Sequence, residues 1–318
     1  MQDGTGAAWQ VASEALCAAG QAPFWHAREE RLYWIDPPLK RVWRLHLPSG
    51  RSERWDLPQP VTGLAPCRSG ALLLLLPDGL YHCGGWMDVP RLLALLPGRA
   101  ELQLWRGGRC DPWGRYWLLS QTLPGERAPS GALYCLRARS EVQPALERVR
   151  HGVGDGLDLS CAPDGRSIAW CDGAHREVLQ AALSLPGQWP PELGTPMPLA
   201  RFARPTAPGT EPGSAPAPVN PGRPRCGVYD QQSHYWVALS GSGRLLCLDA
   251  NGQTLASIAT PALRPSGLCF GGTDRCTLFL CTTRAGCSPE ELERYPQSGA
   301  VFSLRLPKPG MPAALYWD

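Results

Sequence analysis

One phrase recurs along this chain: a short run rich in aromatic residues, a polar turn, then a second apolar run. It is clearest where Arg31-Leu32-Tyr33-Trp34-Ile35-Asp36 leads into Arg41-Val42-Trp43-Arg44-Leu45 and on to Pro48-Ser49-Gly50. Two such runs around a turn read as a β-hairpin. The phrase returns as Arg115-Tyr116-Trp117-Leu118-Leu119 with Gly131-Ala132-Leu133-Tyr134-Cys135, and again as Ser167-Ile168-Ala169-Trp170-Cys171. It returns as His234-Tyr235-Trp236-Val237-Ala238 with Arg244-Leu245-Leu246-Cys247-Leu248, and as Thr277-Leu278-Phe279-Leu280 with Ala300-Val301-Phe302-Ser303-Leu304. A weaker copy occupies residues 71–76. Taking Trp34, Leu74, Trp117, Trp170, Trp236 and Phe279 as equivalent points gives spacings of 40, 43, 53, 66 and 43 residues. Periods of this size suit propeller blades, small sheets that bury their faces only against neighbours. The expected fold is all-β: a six-bladed β-propeller with four-stranded antiparallel blades, filling residues 1–318 as a single domain.

Helical repeats fit poorly, because the chain carries 35 Gly and 34 Pro and shows no long amphipathic helical period. Radial closure would also dispose of the sheet edges that so strand-rich a sequence otherwise exposes. Pro77-Asp78-Gly79, Pro163-Asp164-Gly165 and Asp249-Ala250-Asn251-Gly252 supply the residues that tight reversals need. The longest spacing holds a stretch crowded with Pro, Gly, Ala, Ser and Thr. Residues 205–221 are expected to form an extended surface loop within the propeller, since a blade phrase follows at once.

The 31 Lys+Arg and 28 Asp+Glu leave a formal charge of +3, spread without a basic stripe, which gives no sign of a nucleic-acid partner. No stretch reaches eighteen apolar residues and no basic-then-apolar leader opens the chain, so neither membrane nor secretion is expected. The 13 cysteines form no Cys-x-x-Cys pair, and several sit inside strand-like runs, where free thiols pack as small hydrophobes. A reducing, cytoplasmic setting follows as the expectation.

Four phrases, in order, resemble the senescence marker protein 30, gluconolactonase and luciferin-regenerating enzyme family. They are Gly20-Gln21-Ala22-Pro23-Phe24-Trp25 with the Arg31 to Asp36 run, Asp111-Pro112-Trp113-Gly114-Arg115-Tyr116-Trp117, Asp155-Gly156-Leu157-Asp158 with Pro163-Asp164-Gly165, and Gly267-Leu268-Cys269-Phe270-Gly271-Gly272 with Thr277-Leu278-Phe279. The resemblance implies an axial channel holding one divalent cation between a Glu, two Asn and an Asp, and hydrolysis of lactones and related esters. Here the place of that Glu is taken by Gln21, the first Asn by Arg106 and the second by Asp155. The Asp falls on Arg225, within Pro224-Arg225-Cys226.

Arginine has five donors and no acceptor, so it coordinates no cation. A divalent ion beside one guanidinium, at an assumed ~4 Å and an effective dielectric of ~20, would be repelled by roughly 8 kcal/mol. The expectation is therefore no metal and no other cofactor, and a site whose preference has turned toward anions and carboxylates. Two readings stay open. Arg225, with Arg106, pairs with Asp155 as a salt-bridged plug, or it clamps a carbonyl or carboxylate of a bound small molecule while Asp155 or Asp158 moves a proton.

Asp155, Arg225 and Asp158 are the catalytic candidates, and Gln21, Arg106, Trp25, His151 and Cys226 the substrate-binding ones. His151 and Cys226 are also a candidate base and nucleophile, against the plainer reading of a packed thiol. Trp34, Trp117, Trp170 and Trp236 read as blade core, while Trp25, Trp105 and Trp113 flank the phrases that approach the channel. Three function classes follow: a lactonase-like enzyme on a small polar molecule, with a metal-dependent lactone or ester hydrolase of remodelled site as its alternative form; a small-molecule binding protein without turnover; and a structural or interaction protein with no partner identified.

Overall fold

The recurrent hairpins are the two middle strands of six four-stranded antiparallel sheets. The structure is a computed structural model and describes residues 8–97, 103–122, 131–138, 145–154, 156–184, 187–204 and 221–318. The expected loop at 205–221 falls, apart from Pro221, outside the described residues.

Blade I is β2 (Gln21–His26), β3 (Arg31–Asp36), β4 (Arg41–His46) and β5 (Arg51–Asp56). Blade II is β6 (Gly63–Pro66), β7 (Leu72–Leu75), β8 (Gly79–Cys83) and β9 (Arg91–Leu95). Blade III is β10 (Gln103–Cys110), β11 (Tyr116–Thr122), β12 (Ala132–Leu136) and β13 (Leu146–His151). Blade IV is β14 (Gly156–Cys161), β15 (Ser167–Asp172), β16 (Glu177–Ala182) and β17 (Met197–Arg201). Blade V is β18 (Arg223–Tyr229), β19 (Tyr235–Ser240), β20 (Arg244–Leu248) and β21 (Thr254–Ala259). Blade VI joins β22 (Pro265–Gly271), β23 (Thr277–Thr282) and β24 (Val301–Arg305) to β1 (Gln10–Ser13).

Pairing of β1 with β24 puts the first and last strands in one sheet and closes the ring. The first strand of each blade, β2, β6, β10, β14, β18 or β22, lies innermost and touches its counterparts in the flanking blades. This is a six-bladed β-propeller.

The core sits between blades. Trp117 and Leu119 of blade III pack with Leu159 and Trp170 of blade IV, and Trp34 of blade I packs with Phe279 and Val301 of blade VI. A buried indole needs a partner for its N–H. Trp117 donates to Asp111 Oδ2 at 2.8 Å, Trp236 to Asp230 Oδ2 at 3.1 Å and Trp170 to the Val153 carbonyl at 3.1 Å. Asp111 also accepts from the backbone N–H groups of Trp113 and Arg115 and from Arg115 Nε, so the Asp-Pro phrase is a turn that fixes a core tryptophan. All 13 cysteines are free. Among the described residues, no helix is long and apolar enough to cross a membrane.

Beyond β24 the chain crosses the end of the channel as a strap. Gly310 bridges Asp230 of blade V, Met311 to Ala314 line the channel, and Tyr316 bridges Cys67 of blade II. The Tyr316 ring is buried in the core shared by blades II and III.

Candidate active site

Five of the six innermost strands carry a β-bulge, the exception being β6. The register slips across Ala22 and Pro23 in β2, Gly107 and Gly108 in β10, Leu157 and Asp158 in β14, Arg225 in β18 and Ser266 in β22. A bulged residue has no partner opposite and its side chain is re-aimed, here toward the axis. Gly108 is required by the bulge: a Cβ there would lie 1.3 Å from the Trp117 carbonyl oxygen. Gly63 and Gly107 let β6 and β10 approach, with a Cβ on Gly63 meeting Gly107 Cα at 2.8 Å.

The bulges surround an axial cavity of about 100 Å³, floored by the strap. Its polar lining includes Gln21, Thr62, Arg106, Arg109, Asp158 and Arg225. Arg109 spans it. Its Nη2 donates to the Leu268 carbonyl of blade VI at 2.5 Å and lies 3.4 Å from Asp158 Oδ2 of blade IV. Asp158 Oδ2 also accepts from the Gly227 N–H at 3.3 Å, and Oδ1 from the Leu159 N–H at 2.9 Å. Burial pushes the Asp158 carboxyl up from its usual range; Arg109 and the two N–H groups pull back only part of that shift.

Arg106 is anchored through Nε on Gln121 Oε1 at 3.0 Å, and Gln121 Nε2 donates on to the Gly156 carbonyl. Arg225, half-buried at the β18 bulge, makes no hydrogen bond or ion pair with any of the described residues.

The structure thus brings together Gln21, Arg106, Asp158 and Arg225 from the residues singled out in the sequence. Asp155, with its expected pairing to Arg225, falls outside the described residues. Three others lie elsewhere. Cys226 follows Arg225 on a strand, so it faces the opposite way, into the core between blades V and VI, where burial raises its thiol well above the usual range. His151 ends β13, the outermost strand of blade III, and is exposed. Trp25 is buried against Phe279, with ring centroids 6.1 Å apart, and reaches only a separate cavity beside the strap. Trp105 is likewise core, stacked edge-on against Tyr134.

Two lining residues were not singled out. Arg109 stands directly after the Gly107-Gly108 pair, a bulge signal in a strand-like run. Thr62 precedes the short strand β6, and its buried Oγ1 has no partner among the described residues.

The cation that the resemblance implies does not fit these side chains. Of its four positions the three described are Gln21, Arg106 and Arg225, one amide and two pure donors. The described carboxylate in the cavity, Asp158, is engaged by Arg109 and two backbone N–H groups. Among the described residues, the two clusters of His, Cys and carboxylate close enough to share an ion lie outside this cavity: Cys67, His82 and Asp318, and Asp230, His234 and Cys247.

The chain is 32% identical over 297 residues to the 6-deoxy-6-sulfogluconolactonase of Pseudomonas putida, covering 93% of this chain and 94% of that one. It is 25% identical to human regucalcin over 91% of both chains. The crystal structure of a calcium-binding protein, regucalcin, from Agrobacterium tumefaciens superposes with a TM-score of 0.82, at 21% identity, over 98% of this chain and 97% of that one. Residues 19–284 match the model of the SMP-30/Gluconolactonase/LRE-like region. The chain belongs to that family.

Proposed function

We propose that this lactonase-like chain hydrolyses a small lactone bearing an anionic group, in the axial cavity, with guanidinium electrostatics in place of a divalent cation. The observation that carries the reading is Arg225: a guanidinium on a bulge that faces the cavity, uncommitted to any described residue, at the place where the sequence resemblance puts the family's metal-binding aspartate. An Arg fork suits a carboxylate, a sulfonate or a developing oxyanion. The name of the Pseudomonas putida relative specifies a lactone that carries a sulfonate, consistent with such a substrate.

In this mechanism the lactone carbonyl points at Arg225 and the anionic group at Arg106. Asp158, with Asp155 as the second candidate, takes a proton from the attacking water as the C–O bond to the carbonyl carbon forms. The tetrahedral oxyanion is held by Arg225. The ring C–O bond then breaks, and the proton passes to the leaving alkoxide, giving a hydroxy acid. A carboxyl raised by burial holds and releases that proton closer to neutral pH than an ordinary aspartate.

The test is turnover of a panel of neutral and acidic sugar lactones before and after prolonged chelation. Activity unchanged by chelation, preference for an acidic lactone, and a loss of about 100-fold in kcat/KM for Arg225→Ala, near 3 kcal/mol, are expected. Arg225→Lys should recover part of it, since an ammonium lacks the fork. Loss of wild-type activity on chelation, with recovery on adding calcium or manganese, overturns the reading.

A further inference from the structure

We propose that Cys67, His82 and Asp318 form a binding site for a borderline-soft divalent cation, zinc above calcium or magnesium, which latches the strap to blade II. One ligand atom from each residue lies within 4.8 Å of the other two. Tetrahedral zinc, with bonds of about 2.0–2.3 Å, places its ligand atoms about 3.5 Å apart, so a shift of about 1 Å completes the set. Three protein ligands of mixed S, N and O character, with a fourth position left to water, suit zinc; the thiolate selects against calcium and magnesium.

The three residues come from separate segments that the fold already fastens together. Cys67 follows β6 and sits in a turn closed by Cys67 N–H to Ala71 O and Gly70 N–H to Cys67 O. The strap runs beside it: Arg68 N–H donates to Tyr316 O and Tyr316 N–H to Pro66 O. His82, on β8, has its Nε2 2.8 Å from Asp318 Oδ2 and a side chain 24% exposed, which leaves an entry from solvent. Ser69 orients the carboxylate, its N–H donating to Oδ1 at 3.0 Å and its hydroxyl to Oδ2, the oxygen beside His82, which a cation takes over as the hydroxyl turns away.

The equivalent turns of the other blades sharpen the assignment. After the innermost strands of blades III and V stand Asp111 and Asp230, each bonded to backbone N–H groups of its own turn and to a core tryptophan. In blade II that position is Cys67, and the carboxylate arrives from the strap instead. The second cluster is different. Asp230 Oδ1 accepts from Gln232 and His234 N–H, and Oδ2 from His234 Nδ1 and from the buried Trp236 indole, which cannot turn aside as the Ser69 hydroxyl on Asp318 can.

Cation binding would release the Cys67 proton to solvent. Because residues 311–314 line the channel, the latch fixes the channel's floor without touching Arg225 or Asp158. The experiment strips the purified full chain with chelator and titrates it with zinc and with cobalt. A cobalt spectrum with a thiolate-to-metal band, roughly one zinc per chain, and a melting temperature that rises with zinc are expected. Cys67→Ser and His82→Gln should each weaken zinc at least about tenfold, while Cys247→Ser leaves binding intact. His82→Gln, at a partly exposed side chain, keeps the test valid if Cys67→Ser misfolds. No zinc uptake by the wild type, uptake without the thiolate band, or uptake unchanged in His82→Gln overturns the proposal.

Discussion

Arg109 and Arg225 sit on bulged innermost strands and face one cavity, yet their surroundings differ. Arg109 reaches from blade III to the Leu268 carbonyl of blade VI and to Asp158 of blade IV, so one side chain ties three blades across the axis. Arg225 reaches no described partner. The first guanidinium is a crossbeam whose Nη2 is committed to the fold, although its buried Nε bonds no described residue; the second presents donors to whatever enters. A cationic lining is therefore not one property of the channel, and only part of it is open to a ligand.

Stability separates the two most sharply. Arg109→Leu leaves the Asp158 carboxylate in the cavity without its cation and should destabilise by about 3 kcal/mol, read from urea unfolding midpoints. Adding Asp158→Asn should return part of that loss, because no charge is then orphaned; a double variant as unstable as the sum of the singles would mean the two groups do not act as a pair. Asp158→Asn by itself tests the raised carboxyl. The proton is bound more tightly in the folded chain, so the stability that Asp158 contributes is present at low pH. It is lost as pH rises from the unfolded value of about 3.9 through the higher folded value. Wild type should lose stability relative to Asp158→Asn across that window, and parallel pH curves would remove Asp158 as the titrating group. The smallest effect belongs to Arg225→Ala, expected within about 0.5 kcal/mol of wild type in unfolding although turnover falls. A large loss there would make Arg225 a second crossbeam.

The sequence displayed the middle strands far better than the innermost ones, for a physical reason. Runs such as those around Trp34, Trp117 and Trp170 are buried between blades and keep regular ladders, so aromatic and aliphatic residues recur in them without interruption. All but one of the innermost strands are bulged and all but one carry glycine, which breaks the period of two that identifies a strand. Their residues were reachable only through family phrases. That route placed Gln21, Arg106, Asp158 and Arg225 at the channel but passed over Arg109. Proximity in sequence misled for His151, which neighbours the Asp155 phrase yet lies at the rim because β13 is the last strand of its blade. It misled for Cys226 too, where strand alternation beside a channel-facing Arg225 already points the thiol inward. The strap was invisible because its contacts reach residues far back in the chain, from Gly310 to Asp230 and from Asp318 to His82.

The bulges also govern how freely this site tolerates substitution. A residue within a regular ladder faces a partner across the strand pair, and changing it asks for a matching change there. Arg225 faces none: Pro224 pairs with Leu239 and Cys226 with Ala238, and the sheet continues past it. Exchanging a short acceptor for a long donor at such a point leaves every cross-strand neighbour in place. Bulges of this kind around one axis, the close-packed glycine pair of β10 excepted, let the chemistry of the cavity be rewritten one side chain at a time while the scaffold stays constant.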